Sequence, residues 1–289
     1  MSETEKDPVS GAETTGHEWD GIKELNNPLP RWWLWTFYAT IIWALGYAIA
    51  YPSLPFVGDS FRGVLNYSSR ASLHEAVTEA TEAQAEQRGK LETLSLDEIR
   101  EDPSAFQFAV NGGRAAFAVN CSQCHGSGAA GGPGYPNLND DVWLWGGSLD
   151  AIMMTLKHGV RYEMDDDTRY SLMPAFGRDQ LLNRDQMRTA AHFVLSMSDL
   201  PHDPALATAG APVFEENCAA CHKADGSGDR EQGAPNLKDV IWHYGSSPDE
   251  VYSQIANPRH GVMPGWKDRL DDVTLKQLTL YVHSLGGGE

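Results

Sequence analysis

The sequence predicts an all-α protein: one N-terminal transmembrane helix, a helical spacer, and two tandem copies of one small helical domain. Three observations predict it. Residues 32–51 form an uncharged apolar run, WWLWTFYATIIWALGYAIAY. Residues 69–90 are rich in Ala, Glu and Gln, the composition of an exposed helix. From Val110 onward one pattern of Gly, Phe, Asn, Pro, His and Met residues occurs twice.

Taken in order, residues 1–16 are polar, lack aliphatic periodicity and are expected to be mobile. In residues 17–30, HEWDGIKELNNPLP, Trp19, Ile22 and Leu25 recur at three-residue spacing before a double-proline stop. This 17–30 stretch, the second part of a 1–30 tail, suits a surface that lies along a partner's cytoplasmic face. The next segment, 31–52, crosses the membrane: about 20 residues at about 1.5 Å each match a hydrocarbon core of about 30 Å. Trp32, Trp33 and Trp35 at one end and Tyr47 and Tyr51 at the other suit the two interfaces, with Arg31 outside and Pro52 past the far end. A cleaved signal peptide is a poor fit, because a polar stretch precedes the run and no small-residue cleavage site follows it.

Residues 53–105 form the spacer. Leu73, Ala76, Val77 and Ala80 make a narrow apolar stripe along 69–90. Ser95 and Glu98 form an S-x-x-E capping box, and Asp102-Pro103 opens a further helix.

The repeat follows, with copies expected at 106–200 and 201–289. Gly113, Phe117, Asn120 and Cys121 match Gly210, Phe214, Asn217 and Cys218. Pro136-Asn137-Leu138 matches Pro235-Asn236-Leu237, Trp143 or Trp145 matches Trp242, and His158-Gly159-Val160 matches His260-Gly261-Val262. Met173-Pro174 matches Met263-Pro264, and a closing helix at 187–197 matches one at 274–285. Residues 161–172 are an insertion peculiar to the first copy. The glycine of each first helix is expected to admit a close backbone approach by a closing helix, which carries Phe193 or Tyr281.

Within the repeat, Cys121-Ser122-Gln123-Cys124-His125 and Cys218-Ala219-Ala220-Cys221-His222 use all four cysteines of the chain. Each spells covalent haem c attachment: thiols about one helical turn apart add to the two vinyl groups of one porphyrin, and the adjacent histidine binds the iron. Zinc would require further Cys or His in matched pairs, and a redox dithiol does not require the trailing histidine twice. Each copy thus reads as a class I cytochrome c domain, the chain binding two covalently attached haem c. Cys121 and Cys124 hold the first haem with His125 as axial ligand; Cys218 and Cys221 hold the second with His222.

Met173 and Met263 are the distal ligand candidates, each followed by a proline that would fix its loop. A thioether closes the iron to small ligands and raises its potential relative to a second histidine, giving an electron-transfer site rather than a catalytic one. Met153, Met154, Met187 and Met197 fall at helical spacings and read as core. His158 and His260 occupy equivalent positions and could serve as second histidine ligands, but such histidines more often contact a propionate or the surface, and they read as such contacts. Each copy ligating its own iron is the default; an interlocked pair, with Met173 completing the second haem and Met263 the first, is the alternative.

Composition bounds the partners. Among 289 residues, 22 Lys and Arg stand against 40 Asp and Glu, a net charge of −18, which excludes a nucleic-acid partner and suits a basic one. Acidic pairs and triplets such as Asp140-Asp141, Asp165-Asp166-Asp167 and Asp271-Asp272 build this field.

At Trp19-Asp20-Gly21-Ile22-Lys23-Glu24-Leu25-Asn26-Asn27-Pro28-Leu29-Pro30-Arg31-Trp32-Trp33 the chain resembles subunit III of cbb3-type cytochrome c oxidases, the membrane-anchored dihaem subunit. Tail, span, spacer and tandem domains occur in the same order. The resemblance implies an electron inlet that is not an enzyme on its own. It would accept electrons from a donor cytochrome c and pass them to the monohaem cytochrome subunit II. The haem–copper subunit I then reduces oxygen to water with proton pumping. It also implies a bacterial inner-membrane location, with the N-terminus cytoplasmic and the haem domains periplasmic, since haem c is attached outside the membrane. A dihaem subunit of another respiratory or dehydrogenase complex fits the haem motifs equally but not the tail.

Overall fold

The computed structural model describes residues 5–52, 55–56, 59–60 and 62–287. Parts of the expected 1–30 tail and 53–105 spacer, and the last two residues of the second copy, lie outside them. The chain divides into two compact units, Met1–Ala83 and Gln84–Glu289.

In the first unit the tail is a hairpin, β1 (Thr14–Trp19) antiparallel to β2 (Ile22–Leu25). This corrects the three-residue periodicity and, over the described residues 5–16, the expectation of a mobile segment. Asp20 and Gly21 both have positive φ, 47° and 82°, as a two-residue hairpin turn of this hand requires, and Asp-Gly is among the strongest signals for one. Trp19 and Ile22 face each other across that turn. Before the hairpin, Glu5 N–H donates to Thr14 Oγ1 at 3.1 Å, and Thr14 is buried. Next, α1 (Arg31–Ala50) is the one helix among the described residues long and apolar enough to cross a membrane. None of it is buried within the chain. Thr36 and Thr40 return their hydroxyl protons to the carbonyls of Trp32 and Phe37, so both threonine hydroxyls of the span are paired within the helix.

The spacer is α2 (Ser69–Thr93) followed by α3 (Leu96–Glu101). The Ser95/Glu98 capping box forms as the sequence predicts. In the second unit, Lys276 Nζ donates to the carbonyls of Leu91, Glu92 and Leu94 at 2.8, 3.0 and 2.6 Å, so a cation closes the negative end of α2.

The remaining helices are α4 (Pro103–Asn120), α5 (Ser122–His125), α6 (Leu149–His158) and α7 (Arg184–Met197) in the first copy. In the second they are α8 (Pro204–Asn217), α9 (Ala219–His222), α10 (Pro248–Ala256) and α11 (Asp272–His283). The copies begin alike: Asp102 and Asp203 cap α4 and α8 by accepting from two backbone amides each, with proline at the first helical position.

The copies do not pack as sequential domains. α4 packs on α11 and α6 on α11, whereas α7 packs on α8 and α10 on α7. One body is thus α4, α5, α6 and α11; the other is α7, α8, α9 and α10. The 106–200 and 201–289 segments are repeats of sequence but not the packing units. The connection at 198–203 supplies the reason. It is so short that α7 and α8 form an antiparallel helical hairpin, and a first helix that has taken α7 leaves α4 to be covered by α11.

The glycines make these crossings close. A Cβ on Gly113 would lie 2.1 Å from Gln277 O on α11, and one on Gly210 would lie 2.1 Å from Thr189 O on α7. The close approach expected at each first helix is present, but each is made by the other copy's closing helix. Aromatic pairs repeat the exchange: Phe117 meets Tyr281 with ring centroids 5.4 Å apart, and Phe214 meets Phe193 at 5.2 Å. Phe117 and Phe214 are almost fully buried, each contributing about 2–3 kcal/mol of apolar burial.

Candidate haem sites

The two Cys-x-x-Cys-His motifs occupy matching structural positions. Each first helix runs directly into its motif, with Cys121 and Cys218 as the C-cap residues of α4 and α8, and the rest of each motif forms a single turn, α5 or α9. A single helical turn between two thiols is the arrangement that covalent haem attachment uses. Burial pushes the Cys121 and Cys218 thiols up to about 11, so the sites oppose thiolate charge. Neutral thioethers, as covalent haem attachment makes, suit such a setting.

His125 Nδ1 lies 3.1 Å from the carbonyl oxygen of Pro136, and His222 Nδ1 lies 3.0 Å from that of Pro235. A carbonyl can only accept, so each Nδ1 carries the proton and Nε2 is the nitrogen left to bind a metal. Burial lowers both histidine pKa values, opposed by the same carbonyls, which favours the neutral ring a ligand must be. The matched Pro-Asn-Leu segments are therefore the parts that orient the histidines of the two motifs.

The methionines lie across the copies. Met263 packs against the cluster that contains Cys121, Phe117, Leu156 and Tyr281. Met173 packs against the cluster that contains Cys218, Phe214, Val194 and Ile255. Met263 exchanges backbone hydrogen bonds with Val160 at 2.9 and 3.0 Å, and Trp266 N–H donates to Leu156 O, seating this loop on the end of α6. After Met173, the amides of Phe176, Gly177 and Arg178 donate to the carbonyls of Ile255 and Ala256, seating that loop on the end of α10. Of the other methionines, Met187 is buried in the second cluster, while Met153 and Met197 pack at the edges of the first and second.

His158 and His260 are occupied otherwise. His158 Nδ1 lies 3.1 Å from Asp165 Oδ2. His260 Nε2 accepts the Met173 N–H at 3.0 Å, and burial together with Arg161 and Arg178 holds its pKa below the ordinary value.

Sequence reasoning missed a reciprocal aromatic contact. A Cβ on Gly233 would lie 2.3 Å from the Trp145 ring, and one on Gly134 would lie 3.1 Å from the Tyr244 ring. Arg169 stacks over Trp145 at 5.6 Å and Arg259 over Tyr244 at 4.4 Å. Both glycines have positive φ, and the repeat Gly-x-Pro-Asn-Leu at 134 and 233 was the available signal.

Buried polar atoms test whether the crevices suit a haem. Trp242, beside the Cys218 cluster, has a buried Nε1–H with no protein acceptor, and Arg169 Nε is buried and likewise unsatisfied. Such donors fit the carboxylates of a haem, because an unpaired buried N–H is costly until an acceptor reaches it. Trp242 lines a cleft of about 870 Å³ together with Tyr135, Tyr244 and Arg259.

A membrane-spanning helix followed by two cross-packed cytochrome c folds, each with its attachment motif and oriented histidine, defines a membrane-anchored dihaem c-type cytochrome, carrying two covalently attached haem c. The comparisons make the assignment narrower. Residues 11–58 match the family described as the N-terminal domain of cytochrome oxidase-cbb3, FixP; residues 110–198 match cytochrome c; residues 205–282 match cytochrome c oxidase, cbb3-type, subunit III. The cbb3-type cytochrome c oxidase subunit FixPc of Rhizobium leguminosarum bv. viciae is 54% identical over 288 residues, all of both chains. FixP of Sinorhizobium medicae is 55% identical over 98% of this chain and 97% of its own, and CcoP of Cereibacter sphaeroides is 50% identical over 96% and 95%. The chain belongs to the FixP/CcoP family of cbb3-type cytochrome c oxidase subunits.

Proposed function

We propose that this chain is the electron inlet of a cbb3-type oxidase, with its distal ligands exchanged between the copies. Met263 completes the site of Cys121, Cys124 and His125, and Met173 completes that of Cys218, Cys221 and His222. The observation that carries the exchange is the seating of each methionine loop on the other copy: Met263 paired with Val160, and the Met173 loop on the end of α10. When bound, each haem supplies an iron that takes up and releases one electron. The chain's own residues do the rest: Pro136 and Pro235 orient the histidines, the two loops present sulfur, and the buried clusters around Cys121 and Cys218 exclude water. With both axial positions filled, the sites relay electrons rather than bind oxygen.

The wider role follows from membership of the family. Electrons arrive from a donor cytochrome c, cross the two haems, and leave for the monohaem cytochrome subunit II and the haem–copper subunit I, where oxygen is reduced and protons are pumped. The chain is not an enzyme on its own. The apolar α1 fits an inner-membrane protein, with the tail cytoplasmic and both haem sites periplasmic because haem c is attached on that side. The net charge of −18 steers a basic donor. The rate of electron entry from such a donor is expected to fall as ionic strength rises, and a flat dependence at low salt refutes the steering.

The deciding experiment replaces Met173 by Leu and asks which haem changes. A change confined to the haem on Cys218 and Cys221 is expected; a change confined to the haem on Cys121 and Cys124 refutes the exchange. Solubilisation followed through covalent haem is expected to carry a haem–copper subunit with this chain. Its absence refutes the oxidase assignment.

A further inference from the structure

Residues 161–172 have no counterpart in the second copy, yet they are fastened at both ends. At the base, Arg161 N–H donates to Arg169 O at 2.8 Å, while Arg161 Nε donates to Gly261 O at 2.7 Å and Nη1 to Ser171 O at 3.1 Å. One side chain thus ties both strands of the insertion to the backbone two residues before Met263. Farther along, Asp165 has a side chain only 4% exposed, and its Oδ2 lies 2.9 Å from Lys267 Nζ. Lys267 lies just past Met263, on the other side of the loop from Gly261. His158 Nδ1 completes the cluster, 3.1 Å from Asp165 Oδ2 and 3.4 Å from Lys267 Nζ.

His158, Asp165 and Asp167 also offer three ligand atoms within 4.8 Å of one another, as a divalent cation would require. The Lys267 ammonium lies within 2.9 Å of Asp165 and 3.4 Å of His158, so the positive charge this trio calls for is supplied by the chain itself. The cluster is an ionic latch. Its two sides come from different copies, and what lies between its fastenings is the Met263 loop.

We propose that residues 161–172 form a strap that clamps the Met263 loop to the end of α6, and that Asp165 is the positioning residue holding Met263 sulfur at its iron. Arg161 grips the loop before Met263 and Asp165 grips it after, so the ligand stands between two anchors. Among the described residues the Met173 loop has no counterpart of the buried Asp165–Lys267 pair. Its added fastenings are its amide on His260 Nε2, Arg161 Nη1 on Ser171 O two residues before it, and Arg178 Nη1 on Asn257 Oδ1 at 3.5 Å. A buried carboxylate with two partners resists removal of either, since the charge left behind is uncompensated. The strap therefore makes the first distal ligand the harder one to dislodge. This inference rests on the exchange reading for the identity of the haem affected, though not for the identity of the methionine.

The test uses the full-length holoprotein in detergent. In the reduced state each iron-bound methionine gives its own upfield methyl resonance, and Met263→Leu and Met173→Leu assign the two. Asp165→Asn is expected to broaden or abolish the Met263 resonance, leave that of Met173 in place, and let the reduced protein bind carbon monoxide at one haem where the parent binds none. Lys267→Met is expected to do the same, and the charge exchange Asp165→Lys with Lys267→Asp to restore the resonance. Should Asp165→Asn not fold, amide exchange at Val160 and Met263 in Lys267→Met reads the clamp directly, with faster exchange expected. Both resonances intact and no carbon monoxide bound in Lys267→Met overturns the strap. So does a chelator reproducing the effect in the parent, which would make the cluster a metal site. The exchange reading fails separately, if Met263→Leu alters the haem on Cys218 and Cys221.

Discussion

The crevice walled by α4, α6 and α11 and the one walled by α7, α8 and α10 share a scaffold but differ in how the distal loop is fastened. Both loops use backbone bonds to the end of a middle helix, and both sit against a first helix from one copy and a closing helix from the other. The Met263 loop adds the buried Asp165–Lys267 pair, while the Met173 loop adds a bond to neutral His260. The shared part belongs to the repeat and the unshared part to the insertion. Two crevices built on one repeat can therefore differ in how rigidly their methionine loops are held.

The largest effect that separates the crevices is loss of a cofactor. Replacing Cys121 and Cys124 by Ala should halve the covalent haem per chain, replacing Cys218 and Cys221 alone should halve it likewise, and replacing all four should abolish it, measured as haem per polypeptide. Because each crevice is built from both copies, losing either haem should also weaken protection of a helix in the other copy: α11 for the first site and α7 for the second. Amide exchange restricted to the mutated copy would break the picture of interlocked bodies.

Steric substitutions probe the crossing itself. Gly113→Ala places a methyl against Gln277 O and should destabilise the α4–α11 contact by roughly 1–3 kcal/mol, seen as a lowered thermal midpoint. Gly210→Ala should cost about as much, through α7. Faster exchange in α11 for the first variant and in α7 for the second is the expected pattern. The reverse pattern would restore the sequential arrangement.

The latch also has a pH signature. Pairing with Lys267 holds the Asp165 carboxyl down at about 2, below its ordinary range. A depressed folded pKa adds stability above the unfolded value, near pH ~4, and that stability is lost as pH falls through the folded value. The difference in melting temperature between the parent and Asp165→Asn should thus be full above pH ~4 and close towards pH ~2. A difference that persists at the acid end would assign it to packing instead of charge.

Much of this was legible in the residues. The two Cys-x-x-Cys-His motifs, the candidate methionines, the span and the Ser95/Glu98 capping box all depend on local patterns, and local patterns are what a chain displays directly. The pairing of helices was not legible from the repeat, because a repeat says which segments are alike and not which ones touch. The clue lay in loop length: 198–203 is too short to let α7 turn back on α4 while α8 starts elsewhere. The tail hairpin was missed for a different reason. Asp20-Gly21 outweighs the spacing of Trp19, Ile22 and Leu25, since those three also fit neighbouring positions about a tight turn. Tertiary links such as Asp165 to Lys267, distant in sequence, leave no local trace.

The smallest expected difference lies at the start of the two first helices. Asp102 and Asp203 make the same cap, and removing either to Ala should lower the melting temperature slightly through loss of two amide partners. Asp102 also pairs with Lys90 from α2, whereas among the described residues Asp203 has its carboxylate on the α8 amides alone and its own amide on His192. The Lys90 pair holds the Asp102 carboxyl far below its ordinary range, the amides adding to it. Asp102→Ala should therefore cost more than Asp203→Ala, and added salt should narrow the gap, because the extra part is a partly exposed ion pair that salt screens. Equal losses at low salt would mean that α2 contributes nothing to the first crevice through this contact, leaving the Lys276 cap on its last turn as the tie between spacer and haem body.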